Sequence, residues 1–421
     1  MSIKSVGKSL LSSLLEYQAK RLLNNNDLTI IAVGGSVGKT STKLAIAKTI
    51  ASWAEVIYQD GNYNDRLTVP LVLFNQTEPQ IFNVWAWLKI LISNEKAIKQ
   101  TYPYKYAVLE IGTDGPNQLQ RFSYLQPDLY VLTAISEEHM EYFLDLDSVA
   151  KEELSPLAFS KQALVNLDAV GPKNLIKQPF MSYAETKQAD YIIKQQADQL
   201  VIRLKDGNQL TIKAPLLGRQ GAMIVLAAAA VNHWLGLSLA EIRASLASIE
   251  PVPGRMQLLK GIKHSQIIDD TYNSSPLAAK AALDVLYGCV AKPKIAVLGS
   301  MNELGSYTES AHRDIGAYCD PKRLDLVITV GEVAKKYLAP AARQNHCEVI
   351  SFLSPYQAGQ YLKDNLKANS VILFKGSQNA VFCEEAIKPL LLNAKDSAKL
   401  VRQSKTWLKL KAKQFSDLTQ I

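Results

Sequence analysis

Apolar residues recur near the helical period through residues 2–23, where Leu10, Leu11, Leu14, Leu15 and Leu22 fall on one amphipathic pattern. Lys4, Lys8, Lys20 and Arg21 decorate it, and Asn24-Asn25-Asn26-Asp27 ends it. Two readings stand: a helix packed on the domain that follows, or a helix lying on a membrane surface. The pattern then changes. Leu28 to Val33 is an unbroken apolar run, as expected of a strand buried on both faces of a parallel sheet. Gly34 to Thr40 is a glycine-rich turn, and residues 41–53 read as a helix. Further strand candidates at Tyr106–Ile111, Leu129–Thr133 and Ala163–Asn166 alternate with helical stretches, which predicts an α/β fold around a parallel sheet.

Near 190–213 the spacing shortens. Tyr191–Ile193, Leu200–Leu204 and Leu210–Ile212 read as brief strands, and Asp206-Gly207-Asn208 as a hairpin turn. Together they predict a small β-insert, followed by helices at 219–235 and 239–248. Pro251-Val252-Pro253-Gly254 punctuates the chain like a domain boundary. Beyond it, Gln266–Ile268, Lys294–Leu298, Leu326–Val330 and Val371–Phe374 alternate with helices, as in a second α/β domain, and residues 395–413 read as a basic helix. The expected organisation is therefore an N-terminal helix (1–27), a nucleotide-binding domain (28–253) and a second α/β domain (254–421).

Composition narrows this little. Of 421 residues, 48% are hydrophobic, enough for large cores, and the net charge of +8 suits a polyanionic ligand without implying nucleic acid. The four cysteines form no CxxC pair, which points away from a disulfide framework or zinc site and towards a reducing, cytoplasmic setting. The apolar run Leu10–Leu15 is too short to span a membrane.

Candidate chemistry enters at Val33-Gly34-Gly35-Ser36-Val37-Gly38-Lys39-Thr40-Ser41, with a strand leading in and a helix leading out. Glycines let the backbone wrap phosphate oxygens, and amides at the helix start point at the anion. Gly35 to Ser41 are thus candidate ATP contacts, with Lys39 on the terminal phosphates and Thr40 on Mg²⁺. Val33 stands where the general phosphate-loop spacing has a glycine, so the loop is one residue short.

That shorter loop resembles the one that opens the central domain of Mur ligases, and other segments resemble the family in order. They are Asn62-Tyr63-Asn64 with Val69-Pro70-Leu71, Leu109-Glu110-Ile111-Gly112, Glu138-His139-Met140-Glu141, Ala150-Lys151-Glu152-Glu153-Leu154 and Asn166-Leu167-Asp168. In the C-terminal half they are Pro253-Gly254-Arg255-Met256-Gln257, Asp269 to Pro276, Leu298 to Gly305 with His312, and Lys375-Gly376-Ser377. The Leu298–Gly305 segment matches the D-alanyl-D-alanine-adding members in particular. The resemblance covers about residues 28–390.

It implies a three-layer ATPase domain followed by a Rossmann-like domain, and a ligase that activates a carboxylate as an acyl phosphate for attack by an amine. Thr40 and Glu110 are expected at one Mg²⁺, and His139 and a CO₂-derived carbamate on Lys151 at a second. Arg255 is expected to reach the phosphates on domain closure, and Asp269 and Asn273 the nucleoside. Asn62 and Asn64 are expected on the UDP-N-acetylmuramoyl-tripeptide, Lys375 and Ser377 on D-alanyl-D-alanine or the carboxylate, and His312 in a catalytic role. Several departures stand out: Gln220, Gly221 and Ile224 where the family has His-Asn and a further asparagine after Gly-Arg, Ala134 for asparagine, Ser300 for aspartate and Gln378 for arginine. Family members also carry an N-terminal uridine-nucleotide domain, and residues 1–27 are too few to form one. Two other readings therefore stay open: a Mur-like ligase for a different, non-UDP or lipid-linked acyl substrate, and a non-catalytic ATP-binding subunit.

Overall fold

The computed structural model describes residues 3–61, 63–137, 140–171, 179–196 and 198–416. Two site candidates, Asn62 and His139, lie outside the described residues. The chain divides into two compact units: Met1–Ser136, Tyr142–Pro215 and Ala222–Ile249 form the first, and Glu137–Glu141, Leu216–Gly221 and Glu250–Ile421 the second.

The first unit opens with α1 (Ile3–Asn25), β1 (Thr29–Gly34), α2 (Lys39–Ala51), β2 (Val56–Ile57), α3 (Thr68–Leu73), α4 (Val84–Ile98), β3 (Tyr106–Glu110) and β4 (Leu129–Leu132). It continues with α5 (Leu146–Leu154), β5 (Gln162–Asn166), β6 (Met181–Ala184), β7 (Tyr191–Gln196), β8 (Gln199–Arg203), β9 (Gln209–Lys213), α6 (Gly218–Trp234, in this unit from Ala222 onward) and α7 (Leu239–Leu246). Its nine strands form one sheet in the order β2-β3-β1-β4-β5-β6-β7-β8-β9. Pairing is parallel up to β7 and antiparallel from β7 to β9. β3, β4 and β5 are buried from their second residue or earlier to the end, as their unbroken apolar runs require. The strands expected as a small β-insert are the antiparallel end of this same sheet, joined to it where Tyr183 and Ala184 pair with Tyr191 and Ile192. Period-2 sequence specifies a strand, but not the edge it will extend. The turn at 206–208 forms as expected, with Gly207 at φ +88°.

One side of α1 packs on the rest of its unit. Leu15 joins Leu67, Leu71, Trp87 and Ile90 in a core with α3 and α4. Arg66 binds Glu16 at 2.5 and 2.8 Å, and Arg21 binds Glu95 at 2.7 and 2.9 Å.

The second unit holds β10 (Gln257–Lys260), β11 (Gln266–Asp270), α8 (Pro276–Gly288), β12 (Lys294–Gly299), α9 (Thr308–Tyr318), β13 (Leu326–Val330) and α10 (Ala339–Gln344). After them come β14 (Val349–Phe352), α11 (Pro355–Asn365), β15 (Val371–Lys375), α12 (Glu384–Ile387) and α13 (Lys405–Gln414). Its six strands run β10-β11-β15-β12-β13-β14, parallel except for β10. Alternate residues feed two cores. Ala296, Leu298 and Leu373 pack with α8 and α9, while Val297, Ile372 and Phe374 pack with α11 and α12. Cover on both faces makes this a Rossmann-like layer structure. The basic helix expected over 395–413 is shorter: residues 394–399 form a 3₁₀ turn, Arg402 has φ +55°, and α13 starts only at Lys405, capped by Ser404.

Candidate active site

The phosphate loop follows β1, and the sheet order places β3 on one side of it and β4 on the other. Parallel pairing sets Val33 opposite Glu110 and Gly34 opposite Leu132, so the loop, Glu110 and Thr133 emerge together at the carboxyl ends of three adjacent strands. Such a crevice is where open α/β sheets bind ligands. β4 stitches the loop down. Thr133 donates through N and Oγ1 to Gly34 O (3.0 and 2.9 Å), and Ser36 N donates to Ala134 O at 2.8 Å. Ala134 contributes a carbonyl, so its departure from the family's asparagine leaves this contact intact.

Gly35 has φ +116°, and a Cβ there would collide with Thr133 Oγ1 and lie 2.8 Å from Ala134 N. Gly38, at φ +88°, is the N-cap of α2. The helix therefore starts at Lys39 and leaves its first amides without intrahelical partners, aimed at the loop. Thr40 is buried in that first turn, Val37 and Ser41 are half-buried, and Lys39 Nζ curls back to Ser36 O at 3.1 Å.

Two loop donors are committed elsewhere. Ser36 N goes to Ala134, and Gly35 N donates to Glu153 Oε2 at 2.8 Å. Of the predicted nucleotide contacts, Gly35 and Ser36 thus spend their amides on shaping the loop.

Glu110 is buried at the end of β3. Asn64 Nδ2 donates to its Oε1 at 3.2 Å, and Lys43 Nζ lies 3.4 Å from its Oε2. That second oxygen has no hydrogen-bond donor. Glu110 Oε2, ion-paired with Lys43 but without a hydrogen bond, and the Thr40 hydroxyl in the first turn of α2 are hard oxygens of the kind that suit Mg²⁺. Lys43 was not anticipated from the sequence. Its only signal is a position one turn beyond Lys39, which no motif distinguishes from an ordinary helix lysine.

Lys151 is exposed on α5, a helix started by an Asp145–Ser148 capping box. The next two residues face inward. Glu152 accepts the amides of Asn117, Gln118 and Leu119 at 2.7 Å each, and Glu153 accepts that of Gly35. These anchoring roles were also not legible in sequence. Among the described residues, no three His, Cys, Asp or Glu side chains gather as a metal cluster.

In the second unit, the predicted residues collect at the ends of β11, β12 and β15, mostly in inward-facing roles. Lys375 is buried and binds Asp270 Oδ2 at 2.8 Å and Asn273 O at 2.6 Å. Ser377 Oγ accepts Asn302 N at 2.9 Å. His312 is fully buried: its Nε2 accepts Met301 N at 2.9 Å and its Nδ1 donates to Thr308 O at 2.6 Å. Burial lowers its pKa, which keeps the ring neutral as that pair of bonds demands. It buttresses the Leu298–Gly305 segment. Asp269 is also fully buried and binds Thr271 N and Oγ1, and desolvation raises its carboxyl to about 7. Arg255 stacks over Tyr272, with its guanidinium carbon 4.0 Å from the ring centroid.

A glycine loop between two strand ends, with a lysine, a threonine and a buried carboxylate around it, defines a nucleotide-phosphate-binding α/β enzyme. Comparison with known proteins specifies the class. Residues 33–232 match the Mur ligase middle domain, and residues 254–378 match the Mur ligase, glutamate ligase domain. The UDP-N-acetylmuramoyl-tripeptide–D-alanyl-D-alanine ligase of Bacillus subtilis is 27% identical over 90% of this chain and 79% of its own. The Escherichia coli ligase of the same name is 25% identical over 86% and 77%. Among solved structures, MurF from Acinetobacter baumannii superposes with TM-score 0.73 at 22% identity over 90% of this chain and 79% of its own. MurF from Thermotoga maritima in complex with ADP superposes with TM-score 0.71 at 23% identity over 90% and 83%. The chain belongs to the Mur ligase family, a family of ATP-dependent ligases.

Proposed function

We propose that this chain couples D-alanyl-D-alanine to the terminal carboxylate of UDP-N-acetylmuramoyl-tripeptide at the expense of ATP. Carrying the reading is a family-type phosphate loop flanked by a buried Glu110, in a chain whose similarity to ligases of that name runs through both units. In this reading the α2 amides and Lys39 hold the β- and γ-phosphates. The γ-phosphoryl group moves to the carboxylate oxygen, giving an acyl phosphate and ADP. The dipeptide amine then attacks the acyl carbon, loses a proton and expels phosphate. Charge crowds at both steps, so fixed cations and oriented donors do most of the work. Thr40 and Glu110 would hold Mg²⁺, which when bound neutralises the transferring phosphates. Lys151 would take up CO₂ as a carbamate, the ammonium releasing two protons in all and a cation becoming an anion able to support a second Mg²⁺ with His139.

Purified protein is incubated with ATP, Mg²⁺, the tripeptide substrate and D-alanyl-D-alanine, and the pentapeptide is sought by mass spectrometry. Product that disappears in Lys39→Ala is expected. Folded, ATP-binding protein that makes no product would rule out this substrate pair and favour the different acyl substrate. Full activity in Lys151→Ala, together with indifference to bicarbonate, would remove the carbamate.

A further inference from the structure

Two helices of the first unit, α1 and α4, turn an apolar stripe to solvent. On α1, Leu10, Leu14 and Tyr17 are 64%, 52% and 61% exposed, although Leu15, Ala19 and Leu22 on the opposite side are buried. On α4, Trp85, Leu88 and Ile92 are 77%, 43% and 58% exposed, while Trp87, Ile90, Asn94 and Ile98 face inward. The spacings of three and four residues place each set on one helix face.

The two stripes border one seam. Gln18 donates to Leu91 O at 2.9 Å and Arg21 binds Glu95. Gln18 and Arg21 lie one turn beyond Leu14 and Tyr17, and Leu91 and Glu95 lie three residues beyond Leu88 and Ile92. The stripes therefore lie on adjacent helices joined by that seam, and exposed apolar patches of this kind in soluble proteins mark interaction sites.

Charge indicates what covers it. Glu16 and Glu95 are the only acidic residues in the two helices, and each is held by an arginine, Arg66 or Arg21. Lys20, Lys89, Lys96 and Lys99 are exposed around the stripes. A second copy docked through the same face would set lysines against lysines. An anionic lipid surface takes both the apolar stripe and the lysines, and Trp85 and Tyr17 are side chains suited to a lipid–water boundary. Neither helix is long and apolar enough to cross a membrane. We propose that α1 and α4 together seat the protein flat on the interfacial layer of an anionic bilayer. This does not rest on the substrate reading above.

The test is flotation of the full chain with phosphatidylcholine vesicles, with and without phosphatidylglycerol, read alongside Trp fluorescence. Binding only to the anionic vesicles is expected, weakening with salt. Leu88→Ser with Ile92→Ser should abolish it. Lys89→Ala with Lys96→Ala should weaken it about 25-fold, roughly fivefold per lysine from about 1 kcal/mol each. All four positions are exposed, so the variants should keep the wild-type circular dichroism and nucleotide binding. No flotation, binding blind to headgroup charge, or binding unchanged in the variants overturns the proposal. A dimer in sedimentation velocity that the Leu88/Ile92 variant splits would assign the face to a second copy and overturn it as well.

Discussion

Replacing Glu153 with alanine tests whether the phosphate loop is held from behind. Glu153 is 3% exposed, and its carboxylate accepts the Gly35 amide at 2.8 Å. A hydrogen bond to a charged acceptor contributes about 1.5–3 kcal/mol, and losing it leaves a buried N–H unsatisfied at a similar cost. The loss should fall on local opening of the loop rather than on the whole unit, because the sheet beneath is fastened separately by Thr133 and Ala134. In free energy that is about a ten- to hundredfold faster opening. Hydrogen–deuterium exchange of a peptide covering residues 33–40 should accelerate by that factor in Glu153→Ala. Nucleotide should bind more weakly, since the loop must then be ordered on binding. Glu153→Gln keeps an acceptor without charge and should fall between wild type and alanine. Unchanged exchange in the alanine variant, or equal effects of the two substitutions, would refute the idea that this hydrogen bond sets the loop.

Gly35→Ala meets both a positive φ and the wall of β4; a loss of at least about 2 kcal/mol in loop stability is expected, seen as lost nucleotide binding by calorimetry. Lys411 is fully buried between Glu384 and Glu385, at 2.8 and 2.6 Å. Lys411→Met should cost about 3–5 kcal/mol by leaving two buried carboxylates short of a cation, measured as a lower urea midpoint for the second unit. Asp269 has a raised folded-state pKa of about 7 against 3.8 unfolded, so the folded state holds its proton longer. Its contribution to stability is present at low pH and is lost as pH rises through about 7; Asp269→Asn should flatten the stability–pH profile over that window.

Sequence alone determined the α/β character, the glycine-rich loop after the first strand, and the family. Continuous apolar runs specify buried parallel strands, and Gly-Lys-Thr after such a run has few other uses. The same local patterns were silent wherever a neighbour is distant along the chain. Sequence could not tell that the strands at 191–213 extend the main sheet, because strand period does not name a pairing partner. It assigned Gly35 and Ser36 to the nucleotide, whereas their amides serve Glu153 and Ala134, roughly 100 residues away along the chain. It read His312, Asp269 and Lys375 for ligand chemistry, while burial gives each an internal hydrogen-bonding task. Glu152, Glu153 and Lys43 look like ordinary helix residues until the fold brings a loop or a carboxylate within 3.4 Å of them. Residue type and spacing carry the chemistry a site can do. Which donors remain for a ligand is decided by tertiary contacts, because every buried polar group must first find a partner.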